Sequence, residues 1–167
     1  PAGDYVRRAI EAKKSVVTAN KALLAEQGHA LIERSEALGV DLYFEAAVAG
    51  GIPVIRVLRE ALAADRVVAL RGIVNGTSNY ILSEMTSRGI DFAEALAGAQ
   101  AAGYAEADPT LDVGGGDATH KLAILATLAF GAEIHPDEIA TEGITEVGAV
   151  DIEMARLLTL KAAFMMD

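Results

Sequence analysis

Cysteine is absent from the chain. That excludes disulfides and thiolate metal centres, and it suits a reducing cytoplasm. Tryptophan is absent too, and aromatic residues make up only 5%, so a core must be built from Ala, Leu, Val and Ile on closely packed elements. Positive charge is scarce: 14 Lys and Arg face 24 Asp and Glu, a net charge of −10. A surface of that sign repels a phosphate backbone, which argues against nucleic-acid binding. No apolar run reaches the roughly 18 residues of a membrane span. The first residues are charged and lack the apolar stretch of a secretion signal. Asn75-Gly76-Thr77 therefore reads as a turn into a helix rather than a glycosylation acceptor. The chain opens at Pro1, as a processed protein or a piece of a longer one would.

What is present is a globular composition. The chain has 167 residues, 52% apolar and 23% charged, enough for one domain, or one domain and a fragment, with a sizeable core. Periodicity predicts a helix over 4–13, a strand at 15–18, a helix over 22–38 stopped by Gly39, and a strand at 41–49. That alternation resembles the closing part of a doubly wound sheet. Gly50-Gly51-Ile52-Pro53 interrupts it, and Pro53 suits the first turn of a helix running to about Ala63. A strand is expected at 66–74 and a helix capped by Thr77 or Ser78 to about Ser87. Asp91 opens another helix ending near Gly103. An irregular acidic stretch fills 104–116, and an apolar helix runs from Asp117 to about Phe130. A short turn at 136–138 and a last helix from about Asp151 complete the reading.

The segment that carries chemistry is 103–121, GYAEADPTLDVGGGDATHK. Glu106, Asp108, Asp112 and Asp117 place four carboxylates within twelve positions. Three consecutive glycines cost conformational entropy, so the backbone there must approach something closely or take unusual dihedrals. Asp117 and Lys121 are four apart at a helix start, which puts them on one face. A plainer reading stands beside this one: Asp117 as a helix cap, Lys121 as a solvated partner, the acids as a surface loop. Against it stands the apolar LAILATLAF that follows, which brings the pair close to the interior, where charges are costly unless paired or used. The acids do not fall at the alternating positions of a calcium loop. His120 adjoins the pair, though a supporting or exposed histidine is commoner than a catalytic one. His29 and His135 read as surface residues, and Met154, Met165 and Met166 as packing or a loose tail.

This segment resembles the signature of homoserine dehydrogenases, G-Y-x-E-x-D-P-x-x-D-x-x-G-x-D-x-x-x-K, and every fixed position is matched. VVTANKALLA at 16–25, FEAAVAGGIP at 44–53 and GIVNGTSNYIL at 72–82 are similar to three further motifs of that family, in order and spacing. The resemblance implies an α/β fold. Residues 1–45 would be the C-terminal portion of a Rossmann-like NAD(P)-binding domain, most of which lies upstream. Residues 46–167 would be a catalytic and dimerisation domain, a mixed sheet covered by helices, incomplete at its C-terminus. It implies NAD(P)-dependent interconversion of L-homoserine and L-aspartate 4-semialdehyde in threonine and methionine biosynthesis, in the cytoplasm, by a homodimer or higher oligomer.

By motif, Lys121 corresponds to the family's acid–base lysine, Asp117 to its paired aspartate, and Lys21 to the lysine at the hydride-transfer site. Glu106, Asp112, Tyr104, Gly76 and Thr77 correspond to substrate-binding positions, and Thr18, Ala19, Asn20 and Lys21 to the cofactor-binding strand end. Glu45, with main-chain carbonyls around Val48, Gly50 and Ile52, corresponds to a monovalent cation site for Na⁺ or K⁺. The chemistry suits these residue types: carboxylates for the ammonium of homoserine, a helix start for its carboxylate, a lysine for its hydroxyl proton. Two departures stand out. The G-x-G-x-x-G fingerprint is missing, and the similarity fades after about Ile152. An active enzyme, an inactive dimerisation core, and a module that only binds substrate or cation therefore all remain open.

Overall fold

The computed structural model describes residues 1–158. Met165 and Met166 lie outside them. The chain divides into two compact units: residues 1–70 with 120–139, and residues 71–119 with the segment from 140 onward.

The first unit contains the α/β element that alternation in the sequence predicts. Helix α1 (Ala2–Glu11) leads into β1 (Val16–Val17), helix α2 (Lys21–Leu38) and β2 (Leu42–Tyr43). The two strands pair in parallel, Val16 opposite Leu42 and Val17 opposite Tyr43. A parallel pair needs a crossover, and α2 supplies it. α2 starts on Asn20, whose side chain accepts the Leu23 N–H, and stops at Gly39 with φ 65°. Only glycine adopts that left-handed turn without strain. Leu23, Leu24 and Leu31 of α2 bury with Ile10, Leu42, Phe44, Val48 and Ile55, joined by Ala123, Ile124 and Leu125. Burying a Leu or Ile of this kind contributes roughly 1.5–3 kcal/mol.

Several expectations are revised here. The strand at 41–49 is only Leu42–Tyr43, after which Glu45–Ala47 forms a 3-10 turn. The helix expected from Pro53 is one α turn, α3 (Val54–Arg56), widening into a π turn at Val57–Ala61. Residues 66–74 form no strand. A strand exists only where a second one satisfies its backbone groups, and among the described residues only β1 and β2 pair. His29 and His135 are partly exposed at the surface, 3.4 Å from the carboxylates of Glu33 and Asp137 respectively. They line a shallow open cleft with Leu24, Ile32, Phe44 and Ile124.

The second unit, within the described residues, is helical. Helix α4 (Gly76–Arg88) packs with α5 (Phe92–Ala101). Asn75, not Thr77 or Ser78, caps α4; Asp91 caps α5 as expected. Ile81, Leu82 and Met85 meet Ala95 and Ala99, with Val113, Ile144 and Ile152 completing the core. The acidic stretch is less irregular than predicted, because Thr110–Val113 forms a short helix, α6. Helix α7 (Gly116–Phe130) begins here and from residue 120 belongs to the first unit, and the last described helix, α8, is Ala149–Leu157. No helix among the described residues is long and apolar enough to cross a membrane.

The glycine run has an internal explanation. Gly115 is left-handed at φ 88°. A Cβ on Gly114 would stand 2.7 Å from the Thr110 carbonyl oxygen, and one on Gly116 2.8 Å from the Leu111 side chain. The run is what lets α6 turn directly into α7.

Candidate functional site

Within the second unit the chain collects a polar cluster around the start of α4. Asn75, Thr77, Ser78 and Asp117 are all buried. The Asn75 side-chain amide donates to Asp112 Oδ1 and to Asp117 Oδ2, each at 2.8 Å. Its own oxygen accepts the Ser78 N–H at 2.7 Å. The Thr77 hydroxyl donates to the Tyr104 carbonyl at 2.7 Å and lies 3.2 Å from Asp112 Oδ2. Ser78 Oγ donates to the Asp112 carbonyl at 3.1 Å. The cluster exists because α4 must satisfy its first N–H groups and because the turn from α6 into α7 delivers two aspartates to the same place.

The sequence-derived substrate positions distribute unevenly over this cluster. Asp112, Thr77 and Asp117 are joined by hydrogen bonds, with Gly76 at the first position of α4. Tyr104 contributes its main chain to Thr77, while its ring is exposed and stacked on Tyr80, centroids 4.6 Å apart. Glu106 is exposed, and its main-chain carbonyl accepts from Gln100 Nε2 at 3.0 Å. A Cβ added to Gly76 would meet nothing within 4 Å, so the chain's own packing does not demand glycine there. Asp117 stands inside α7 rather than capping it, and Lys121 follows one turn later in the same unbroken helix. Lys121 is half-buried.

Asn75 is the residue that sequence reading passes over. It reads as half of a turn dipeptide. The signal that could have found it is its place at the first residue of N-G-T-S before a helical pattern, where a capping side chain belongs.

In the first unit, Thr18, Ala19 and Asn20 form the turn leaving the C-terminal end of β1, and Lys21 opens α2. Thr18 Oγ1 accepts the Asn20 N–H at 3.1 Å, and the Thr18 N–H donates to the Tyr43 carbonyl at 2.9 Å. A strand end feeding a helix N-terminus is where open α/β sheets take their ligands. Glu45 is committed to the fold: its carboxylate accepts the N–H groups of Ile55 and Arg56, both at 2.9 Å. In the loop after it Ala49 takes a left-handed φ of 60°, unusual for a residue with a side chain, and Gly50 follows at φ 56°. Two left-handed residues in succession swing consecutive carbonyls. Among the described residues no group of three His, Cys, Asp or Glu side chains could hold a metal ion, so a cation here would depend on main-chain oxygens.

A family model described as homoserine dehydrogenase matches residues 53–164, past the point where similarity by motif fades. A second, homoserine dehydrogenase NAD binding domain, matches residues 1–45. The homoserine dehydrogenase of Mycobacterium leprae is 56% identical over 95% of this chain, and that of Pseudomonas aeruginosa 54% identical over 94%; the chain spans 36% of each of those proteins. The crystal structure of a homoserine dehydrogenase from Thiobacillus denitrificans superposes with a TM-score of 0.95 at 48% identity, covering 99% of this chain and 38% of that one. A hyperthermophilic archaeal homoserine dehydrogenase in complex with NADPH superposes at 0.81 with 32% identity, over 87% of this chain and 45% of that one. With a family model covering more than half of its residues and an α/β fold held in common, the chain belongs to the homoserine dehydrogenase family.

Proposed function

We propose that this chain is the part of an NAD(P)-dependent homoserine dehydrogenase that holds the substrate and moves its hydroxyl proton. The enzyme would interconvert L-homoserine and L-aspartate 4-semialdehyde, on the way to threonine and methionine, as a cytoplasmic homodimer or higher oligomer. The observation that carries the reading is the hydrogen-bonded cluster of Asn75, Thr77, Asp112 and Asp117 at the start of α4, with Lys121 one helical turn beyond Asp117.

Each group of homoserine has a chemically matched counterpart. Asp112, with Glu106 six positions before it, would hold the ammonium. The N–H groups that open α4 at Gly76 and Thr77 would take the carboxylate, because a helix N-terminus offers unpaired donors and a positive dipole end. Tyr104 would line the same place. The hydroxyl proton would pass to the Lys121 amine, or to Lys21, as the carbon gives up its hydride and the carbon–oxygen double bond forms. Asp117 would orient Lys121 and balance its charge once protonated.

NAD(P), when bound, supplies the hydride acceptor. Residues 1–45 would form the C-terminal part of its domain, holding it along Thr18, Ala19, Asn20 and Lys21, and residues 46–167 the catalytic and dimerisation domain. The strand-end turn and the match to an NAD binding domain support this. A Na⁺ or K⁺ ion would sit in the Glu45–Ile52 loop, on main-chain oxygens around Val48, Gly50 and Ile52. Its role would be to stiffen that loop.

The test is nicotinamide absorbance in the full-length protein supplied with homoserine and NAD or NADP. Turnover is expected, and Lys121→Ala is expected to lose it while circular dichroism stays unchanged. A full-length protein inert toward homoserine would overturn the assignment. Undiminished turnover in Lys121→Ala would remove that lysine from the chemistry.

A further inference from the structure

Asn75 is 4% exposed, and its amide is used to capacity. A side-chain amide has two hydrogens and one carbonyl. The carbonyl accepts from Ser78 N at 2.7 Å. One hydrogen goes to Asp112 and the other to Asp117, each at 2.8 Å. Exchanging the amide oxygen and nitrogen would set an oxygen against two carboxylates, so the orientation is fixed.

Two carboxylate oxygens are thereby held no more than twice 2.8 Å apart. Two carboxylates at such a spacing repel when both are ionised, and donors placed between them offset that repulsion. Capping alone does not explain the choice of residue. Asp, Ser and Thr cap helices about as well as Asn, yet of these only Asn offers two hydrogens in addition to its accepting oxygen.

We propose that Asn75 is a positioning residue that fixes Asp112 against Asp117 and thereby sets the enzyme's preference for a substrate bearing an ammonium group. This rests on the functional reading given above and adds a determinant of specificity to it. Asp112 is the carboxylate assigned to the ammonium, and Asp117 precedes Lys121 by one turn. The Asn75 amide is therefore the link that holds the binding carboxylate in register with the acid–base helix.

The experiment uses full-length protein carrying Asn75→Ser or Asn75→Asp. Both variants can still cap α4, and neither can donate a hydrogen to each aspartate. Homoserine is compared with γ-hydroxybutyrate, the same carbon chain without the ammonium. The expected result is a fall of about tenfold in the kcat/KM preference for homoserine, the size of one lost hydrogen bond to a charged group. A raised KM for homoserine should accompany it, with the nucleotide KM near that of the unsubstituted protein; the melting temperature should fall, more for Asn75→Asp, which sets a further carboxylate oxygen against Asp112 and Asp117. An unchanged preference in both variants, or a lowered melting temperature with every KM unchanged, would overturn the proposal and leave Asn75 as a cap. Absence of turnover in the unsubstituted protein would overturn the functional reading, and this proposal with it.

Discussion

The carboxylate of Glu45 lies 2.9 Å from the main-chain nitrogen of Ile55, ten residues further on. Its second oxygen takes the Arg56 N–H at the same distance. The side chain thus closes the start of α3 from a distant position, in place of the usual adjacent cap. Glu45→Ala should cost about 1–2 kcal/mol in urea denaturation, the range for a lost helix cap. Glu45→Gln should keep part of that, since its amide oxygen still accepts. Equal stability of all three proteins would mean the contact adds nothing.

Gly76 separates folding from binding. Its missing side chain would meet open space, so Gly76→Ala should fold with an unchanged or slightly raised melting temperature. If a substrate carboxylate approaches this turn, the added methyl should raise the KM for homoserine about tenfold, as expected for one lost charge-assisted contact. Steady-state kinetics beside a thermal melt would show whether the two quantities part.

Gly143 tests packing in the second unit. A Cβ there would come within 2.6 Å of the Val113 carbonyl oxygen and 2.9 Å of the Gly114 Cα. Both are backbone atoms, and Ile144 N donates to that same carbonyl at 2.8 Å, so neither side yields cheaply. Gly143→Ala should destabilise by about 1–3 kcal/mol. Gly98→Ala, in α5 with nothing within 4 Å of the new methyl, should stabilise by about 0.5–1 kcal/mol. Chemical denaturation should give opposite signs.

Acid sensitivity should follow Glu11. Arg34 donates to both Glu11 oxygens, at 2.6 and 2.7 Å. These hydrogen bonds, aided by the guanidinium charge, hold the Glu11 carboxyl below its ordinary 4.5. Because the folded value is the lower one, the stabilisation is present above 4.5 and fades as pH falls through the folded value. Glu11→Gln should flatten the stability curve below that pH, by a small amount because both groups face solvent. A curve of unchanged slope would assign the acid loss to other carboxylates.

Much of the chain is legible because the signals are local. The stop of α2 at Gly39, the cap at Asp91 and the parallel crossover from 16 to 43 follow from periodicity, a left-handed glycine and capping chemistry acting over a few residues. So does the placing of Asp117 and Lys121 on one side of α7, since helical spacing fixes it wherever the helix forms. The carboxylates of 106–117 announce themselves by composition and by motif. Their separation in space does not: Asp112 and Asp117 converge on one amide while Glu106 stays exposed, and no spacing rule distinguishes them.

By itself the sequence determined where α1, α2, α4, α5 and α7 lie, where the two parallel strands lie, which family motifs the chain carries and which side chains are chemically able to act. Tertiary structure alone decided four further things. It formed no strand at 66–74; among the described residues only β1 and β2 pair. It committed Glu45 to the start of α3. It explained the glycines at 114–116 by the crowding of α6 against α7. And it made Asn75, an unremarked turn residue, the bridge between two aspartates. The physical reason is common to all four. Periodicity and capping act between residues near in sequence, whereas pairing a strand, filling a turn or satisfying a buried carboxylate depends on partners that only the folded chain brings within hydrogen-bonding distance.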